Sequence, residues 1–541
     1  MKFHLLALSS SLLLGAGLSA IQPGNFFIGW LLFSFLFLLT QYAIRSTGIH
    51  TYTGTQVHTE RKTLITDHRS LITVITLAFL LRLALGVALY VFLPTGGYEN
   101  AQNQAGYVFY DSFRRDAQAW ELAQSDAPIL SAFNKNFYSD QYGGLLAFSA
   151  AAYRFLSPDA HRPLLPVFFG ALTSALGLAF LWMAVARQWD AKVATTAAWI
   201  YALFPESILM GSSQMREPFL MAFVAMALWG FVKWQTAGRV GSSSEAYRDP
   251  YRDQQLAWLW LILSFAGMLL VSPVVALLTL IILAGWTWVT REHGRVSWIT
   301  LAAMGIVFLA GLYLLAWGLE RDQPFGTSPF GIVMNWFREA IKWDVHQLER
   351  GSGWIQKLFR EMPEWLRPLF VMVYGITQPV LPATFIEPTT PLFRALYIFR
   401  SIGWYALVPL LFYAPFAIVR RETGSTRRLL LWLTAASWTW IIISALRGGA
   451  DSWDNPRYRV MLIAVQAIVA AYAWVGRDRW LVRWLIVEGI FVLVFTQWYV
   501  SRYFKIGGQL PFGIMIALIL VLAALVMAFG WWQDRKRNSL P

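Results

Sequence analysis

No cysteine occurs anywhere in the 541 residues. That excludes disulfides, thiolate nucleophiles and cysteine-ligated metals, so any chemistry must rest on carboxylates, arginine, histidine, tyrosine or a bound ion. Charge is nearly as scarce: Asp, Glu, Lys and Arg make up 14% of the chain, against 57% hydrophobic and 16% aromatic residues. A soluble protein of this length cannot cover its surface with so few charges, and the membrane is its solvent. The charge that is present leans basic, with a formal net of +14. Nucleic-acid binding would need those bases gathered on a folded polar domain, and none is present to carry them. An inverted internal repeat of the kind many secondary transporters show is also missing.

Long apolar runs are plentiful instead. Runs that span a bilayer, or nearly so, lie near 4–21, 25–45, 71–94, 163–186, 189–210, 218–234, 256–271, 274–290, 297–317, 398–419, 428–446, 458–475, 482–502 and 510–532. They predict an all-α, polytopic membrane protein of about fourteen transmembrane helices. The stretch from Met1 to Gln22 has the outline of a signal peptide, with Lys2 ahead of an apolar run. It also pairs with the next run across Pro23-Gly24, and we read the two as an uncleaved hairpin. The predicted organisation is therefore residues 1–70, an N-terminal hairpin and cytoplasmic loop, followed by a transmembrane domain over 71–541.

With the N-terminus inside, the basic turns Arg187 to Lys192, Arg291 to Arg295, Arg420 to Arg428, Arg477 to Arg483 and Arg535 to Arg537 all fall on the cytoplasmic side. Both termini are then cytoplasmic. Two long segments, 95–162 and 318–397, lie outside and carry most of the polar residues. The second holds Trp336, Trp343, Trp354 and Trp365 among mixed charges, which suits amphipathic helices at the headgroup level. Its apolar run from Leu369 to Ile386 is broken by Pro379 and Pro382, which predicts a re-entrant or surface-lying segment. The Ser-rich stretch from Gly238 to Arg252 reads as a flexible cytoplasmic loop.

Three polar clusters gather on the outer side. In the first loop, Asp111 and Asp116 flank Arg114-Arg115. From Asp116 onward the spacing predicts a helix, with Ala119, Trp120 and Ala123 on one face and Asp116 near the N-terminus, where the dipole favours an anion. An isolated acid there could equally be a helix cap. The second cluster is Ser212-Ser213-Gln214-Met215-Arg216-Glu217-Pro218, just before a membrane helix. Arg216 and Glu217 could simply pair across the helix start, or Glu217 could hold a divalent ion or position a hydroxyl. In the third, Asp451-Ser452-Trp453-Asp454-Asn455-Pro456-Arg457-Tyr458-Arg459, two arginines stand on the side the positive-inside rule disfavours. They call for an anion: a phosphate, a lipid headgroup, or Asp451 and Asp454. Arg82 and Glu488 fall inside apolar runs, and their opposite signs invite pairing. His161 and His346 have no neighbours at metal-ligand spacing.

Taken in order, these elements resemble the GT-C superfamily of membrane glycosyltransferases, in particular the bacterial proteins related to protein O-mannosyltransferases and aminoarabinose transferases (glycosyltransferase family 39-like). Asp116-Ala117-Gln118-Ala119-Trp120 is similar to that family's Asp-x-x-x-Tyr, with Trp in place of Tyr. Tyr138-Ser139-Asp140-Gln141-Tyr142-Gly143-Gly144-Leu145-Leu146 resembles its aromatic entry to an apolar stretch, Phe204-Pro205 to Glu217-Pro218 its helix end and later outer acid, and Arg457-Tyr458-Arg459 its late Arg-Tyr element. The likeness covers about 95–235 and 447–475 and leaves the first two helices outside the shared core.

The resemblance implies transfer of a sugar from a polyprenyl-phosphate or pyrophosphate donor to a lipid, glycan or protein acceptor, outside a bacterial cytoplasmic membrane. Asp116, Asp111 and Glu217 would be the catalytic acids, and Arg457, Tyr458, Arg459, Arg216 and Asp140 would bind substrate. The attack would be a single displacement with inversion. A divalent cation, Mg or Mn, stays open, and no other cofactor is implied. Two other classes fit parts of the pattern: a flippase or transporter for lipid-linked sugars, whose polar residues would cross the bilayer, and a polysaccharide polymerase or ligase, whose chemistry would centre on arginine.

Overall fold

The computed structural model describes residues 2–54, 61–134, 143–237, 250–290, 362–386, 388–448 and 451–538, with isolated positions between 309 and 335. Everything described is helix, turn or loop, and the protein is an all-α polytopic membrane protein. Among the described residues, eleven helices are long and apolar enough to cross a membrane, or thirteen if two bent pairs each count as one span. These match the predicted runs one for one, except that 297–317, apart from Leu309 and Tyr313, lies outside the described residues. The tryptophans at 336, 343 and 354, His346 and Asp140 also lie outside them, whereas Trp365 is described and exposed. The run from Leu369 to Ile386 forms two short helices rather than a span, as Pro379 and Pro382 require.

The chain divides into two compact units, Met1–Ala340 with Arg459–Ile468, and Ile341–Tyr458 with Val469–Pro541. The first unit opens with the hairpin of α1 (Lys2–Ile21) and α2 (Phe26–Gly54). Polar groups close it: Trp30 Nε1 donates to the Leu12 carbonyl at 2.9 Å, and Gln41 Nε2 reaches Ser10 and Ser11 at 3.0 Å. Then come α3 (Arg61–Gly96), the single turn α4 (Ala101–Gln104), α5 (Tyr110–Gln124), α6 (Gly144–Leu156), α7 (Leu164–Gln188), α8 (Ala191–Leu203), α9 (Pro205–Gly211), α10 (Glu217–Ala237), α11 (Pro250–Val271) and α12 (Pro273–Thr290). Helix α7 is the central element, packed along α3, α8 and α10, with Leu165, Phe168, Ala171, Ala175 and Leu178 fully or almost fully buried.

Arg82, in the middle of α3, is fully buried and has a structural task. Helices α8 and α9 meet at a 59° bend, where Pro205 has no N–H to offer the Tyr201 carbonyl four residues back. Arg82 supplies the missing donor, with Nη2 at 3.2 Å from the Tyr201 carbonyl and Nη1 at 3.2 Å from that of Ala202. The same guanidinium also reaches Ser207 Oγ at 2.6 Å, Ser174 Oγ at 3.1 Å and the Ala78 carbonyl at 2.9 Å. The expected partnership with Glu488 is thus not what satisfies it. Carbonyls and hydroxyls are its partners, which is how a membrane interior, without water, keeps a broken helix closed.

In the second unit, α13 (Arg367–Thr377) and α14 (Leu381–Ile386) are tied to α15 (Pro391–Arg421), for Trp404 Nε1 donates to the Ile376 carbonyl at 2.7 Å and Ser401 Oγ to that of Pro379 at 2.8 Å. Helix α16 (Gly424–Gly448) follows, then α17 (Asp454–Val460) and α18 (Ile463–Val475), bent at 75° to each other, and finally α19 (Arg479–Phe504) and α20 (Phe512–Asn538). One unit boundary falls inside α17, after Tyr458, and another inside α18, after Ile468.

Candidate functional site

Asp116 sits where α5, α6 and two loops of the first unit converge, and only 1% of it is exposed. Its helix starts at Tyr110, earlier than the sequence suggests, with Phe109 in the cap position and Asp111 in the first turn. Asp116 is therefore in the middle of α5, and neither the cap nor the dipole explains it. The anion is held by side chains instead. Tyr153, from α6, donates its hydroxyl to Oδ1, and Tyr107 donates to Oδ2. His161 Nε2 lies 2.6 Å from Oδ2.

Each partner is placed by its own local structure. Gly106 turns the chain with φ +84°, and a Cβ there would lie 2.8 Å from the Tyr90 ring, so only glycine brings Tyr107 this close. Asn103, fully buried, holds the Tyr107 carbonyl at 2.9 Å. Burial pushes the Tyr107 phenol well above its ordinary value, and the carboxylate beside it adds to that, so the hydroxyl remains a donor. His161 rides on the turn between α6 and α7. Arg162 fixes that turn: it binds both oxygens of Asp159 at 2.6 and 2.8 Å, Ser157 Oγ at 2.6 Å, and the Asn25 carbonyl in the hairpin turn at 3.2 Å. These bonds hold the Asp159 carboxyl below the usual range. Gln22 Oε1 accepts from the backbone N–H of Leu164 at 3.2 Å. The N-terminal hairpin, read from the sequence as lying outside the shared core, thus buttresses the turn that carries His161. The imidazole stacks on Trp120, centroids 5.2 Å apart, and meets Tyr153 edge-on at 5.1 Å.

The second sequence cluster belongs to the same unit and is wired to α5. Arg115 Nη1 donates to the Gln214 carbonyl at 3.0 Å, and Ser112 Oγ lies 2.8 Å from Met215 Sδ. Gln214 Nε2 in turn holds the Pro163 carbonyl at 2.7 Å. Glu217 is completely buried in the first turn of α10, with Oε1 3.8 Å from Arg216 Nε. A small cavity lies against this region, lined by Tyr90, Tyr107, Pro163, Leu164, Ser212 and Gln214. Asp111, by contrast, is exposed.

In the second unit, Arg457 is 5% exposed, with Nη1 3.2 Å from Asp454 and its guanidinium 5.6 Å from the Tyr458 ring centroid. Arg447 lies over the same ring, also at 5.6 Å. Arg400, 1% exposed, stacks 4.4 Å from the Trp453 ring and donates to the Trp453 carbonyl at 3.0 Å. Arg459 is counted with the first unit, 2% exposed, and its carbonyl accepts from Gln466 Nε2 at 3.1 Å.

Tyr107 and Tyr153 carry no signal in the sequence, His161 stands out only as lacking neighbours at metal-ligand spacing, and Gln214 only as a member of the second outer cluster. They lie 9, 37, 45 and 98 positions from Asp116, and no local pattern connects them. For a divalent ion the donors do not fit. Both Asp116 oxygens are occupied by hydroxyl and imidazole groups, and no three acids or histidines converge among the described residues.

No family model matches the chain, and no curated protein matches it significantly. Among solved structures it is similar to the archaeal oligosaccharyltransferase AglB from Archaeoglobus fulgidus in complex with an inhibitory peptide and a dolichol-phosphate, with 17% identity and a TM-score of 0.40, over 84% of this chain and 54% of that one. The apo form of the Archaeoglobus fulgidus oligosaccharyltransferase aligns at 16% identity and a TM-score of 0.39, over the same shares. The chain spans about half the length of these archaeal proteins.

Proposed function

We propose that the chain is a membrane glycosyltransferase of the GT-C type, moving a sugar from a polyprenyl-phosphate or pyrophosphate donor to a lipid, glycan or protein acceptor on the outer side of a bacterial cytoplasmic membrane. The observation that carries the reading is the buried Asp116 carboxylate in the first predicted outer loop, held by two phenols and an imidazole. Structural acids are normally neutralised by a cation, whereas a buried carboxylate set among neutral donors and a histidine is a device for moving a proton. In this reading the acceptor oxygen attacks the anomeric carbon in line and its proton leaves to the Asp116 cluster. Arg459, in the same unit as Asp116, stabilises the charge that grows on the departing phosphate, Arg457 is a second candidate for binding the donor phosphate, and Arg216 and Glu217 support the wall that Gln214 forms. Asp116 takes the central role ahead of Asp111 because Asp111 is exposed and distinct from the cluster on the same helix.

The test is transfer from labelled polyprenyl-phosphate sugars to a membrane extract by the protein in vesicles. Wild type is expected to consume at least one donor, and Arg457→Ala to lose about 10²-fold in rate, the scale of one lost charge-stabilising group. Asp111→Asn is expected to stay within about threefold, since an exposed acid contributes little. Lipid-linked sugar that crosses the bilayer without being consumed would replace this reading with a flippase.

A further inference from the structure

We propose that His161 is the base that takes the acceptor's proton, and that Asp116 acts through it as a positioning residue. The inference rests on the transferase reading and specifies the site's chemistry. The carboxylate of Asp116 has few directions left: Oδ2 accepts from Tyr107 and faces His161, and Oδ1 accepts from Tyr153. At 1% exposure, the remaining lone pair does not open to an incoming hydroxyl. His161 is different, with 32% of its side chain exposed. Its Nε2 faces Asp116, and among the described residues nothing hydrogen-bonds to Nδ1.

A carboxylate at 2.6 Å selects the tautomer that carries the hydrogen on Nε2, which leaves the lone pair on Nδ1, on the open side of the ring. Trp120 beneath and Tyr153 at the edge fix the plane of the ring, so the lone pair has one direction. A buried carboxylate that orients an imidazole and then stabilises its charged form is the division of labour found in hydrolytic triads. The groups that surround the pair are Asp116 from α5, Tyr107 from the turn before it, Tyr153 from α6, Tyr90 from α3, and Arg162 with Asp159 from the histidine's own turn. The last two are closed on each other by two bonds, so Asp116 is the charge that answers an imidazolium.

The step balances. The acceptor O–H proton goes to Nδ1 as the oxygen's electron pair forms the new bond to the anomeric carbon. The bond from that carbon to the phosphate oxygen breaks, and its electron pair departs with the phosphate. The imidazolium, paired with Asp116, then loses its proton to water through the exposed edge.

The experiment measures kcat and KM from pH 5 to 9 in vesicles, with a panel of labelled polyprenyl-phosphate hexoses and pentoses, for wild type, His161→Gln, His161→Gly, Asp116→Asn and the double variant His161→Gln/Asp116→Asn. The proposal expects His161→Gln to lose about 10²- to 10⁴-fold in kcat with KM nearly unchanged, and the acid-side fall in rate to vanish with it. It also expects the double variant to be no worse than the poorer single one, because the two act as a unit. Added imidazole should restore part of the activity of His161→Gly, which a merely structural role would not allow. Glutamine keeps an amide donor toward Asp116, so His161→Gln preserves the contact while removing the base. A His161→Gln enzyme within about threefold of wild type, with its acid limb intact, would overturn the proposal and leave Asp116 as the base. A wild type that consumes no donor would instead overturn the transferase reading itself.

Discussion

On the proposed transferase reading, Asp116→Asn is expected to lower sugar transfer by about 10²- to 10⁴-fold while the protein still folds and inserts. The substitution keeps shape and volume, so the core around α5 is not hollowed. It changes the hydrogen bonding in a defined way. An amide has one accepting oxygen and one donating nitrogen, whereas Asp116 accepts on both oxygens, from Tyr153 on one and from Tyr107 and His161 on the other. Whichever way the amide turns, its NH₂ confronts at least one donor. The displaced phenol or imidazole then rotates, and the charge that would answer a proton on the cluster is gone. Leaving one buried donor unmatched costs about 1–3 kcal/mol of stability, a modest loss beside the catalytic one. Initial rates together with thermal unfolding in detergent separate the two effects. Full activity in Asp116→Asn would remove this carboxylate from the mechanism, and a protein that fails to accumulate would make its role one of folding.

The membrane architecture could be read from the chain because hydropathy is a local property: twenty apolar residues announce a span whatever surrounds them. The two bent pairs were legible in the same way, as runs of the right length, although the bends were not. Proline at 205 marks one break, but nothing near it in sequence shows that Arg82, 123 positions earlier, makes that break tolerable. The position of Asp116 was legible and its reason was not. The sequence spacing places it at a helix start, where an acid meets the dipole. The helix begins at Tyr110 with no side-chain cap, and Asp111 occupies that place. The partners that hold Asp116 are tyrosines and a histidine scattered over a loop, a second helix and a turn. Such residues are common, and only the packing of α5 on α6 distinguishes these three from the rest. His161 shows this most plainly. Its sequence neighbours contain nothing that binds an imidazole, yet in space it has a carboxylate on one nitrogen and an indole against its face.

Arg82→Ala is expected to lower the stability of the folded protein by about 3 kcal/mol, and the proposed sugar transfer should fall with it. The arginine makes five hydrogen bonds, and two of them go to the Tyr201 and Ala202 carbonyls at the end of α8. Within a bilayer no water replaces a lost donor, so those carbonyls must either remain unpaired or reshape the bend. The bend leads into α9 and then into Gln214 and Met215, which touch α5 beside Asp116. Damage at Arg82 therefore reaches the site through the backbone. Arg82→Lys should recover only part of the loss, since an ammonium has three donors on one atom and cannot span three carbonyls and two hydroxyls as the guanidinium does. The decisive comparison adds Pro205→Ala. Alanine restores the N–H that can serve the Tyr201 carbonyl, so the double variant Arg82→Ala/Pro205→Ala should be more stable than Arg82→Ala alone by about 1 kcal/mol. In the wild-type background the same proline change should bring no such gain, because that carbonyl already has its donor. Equal effects of Pro205→Ala in both backgrounds, measured by thermal unfolding in matched lipid, would mean that Arg82 does not stand in for the missing amide.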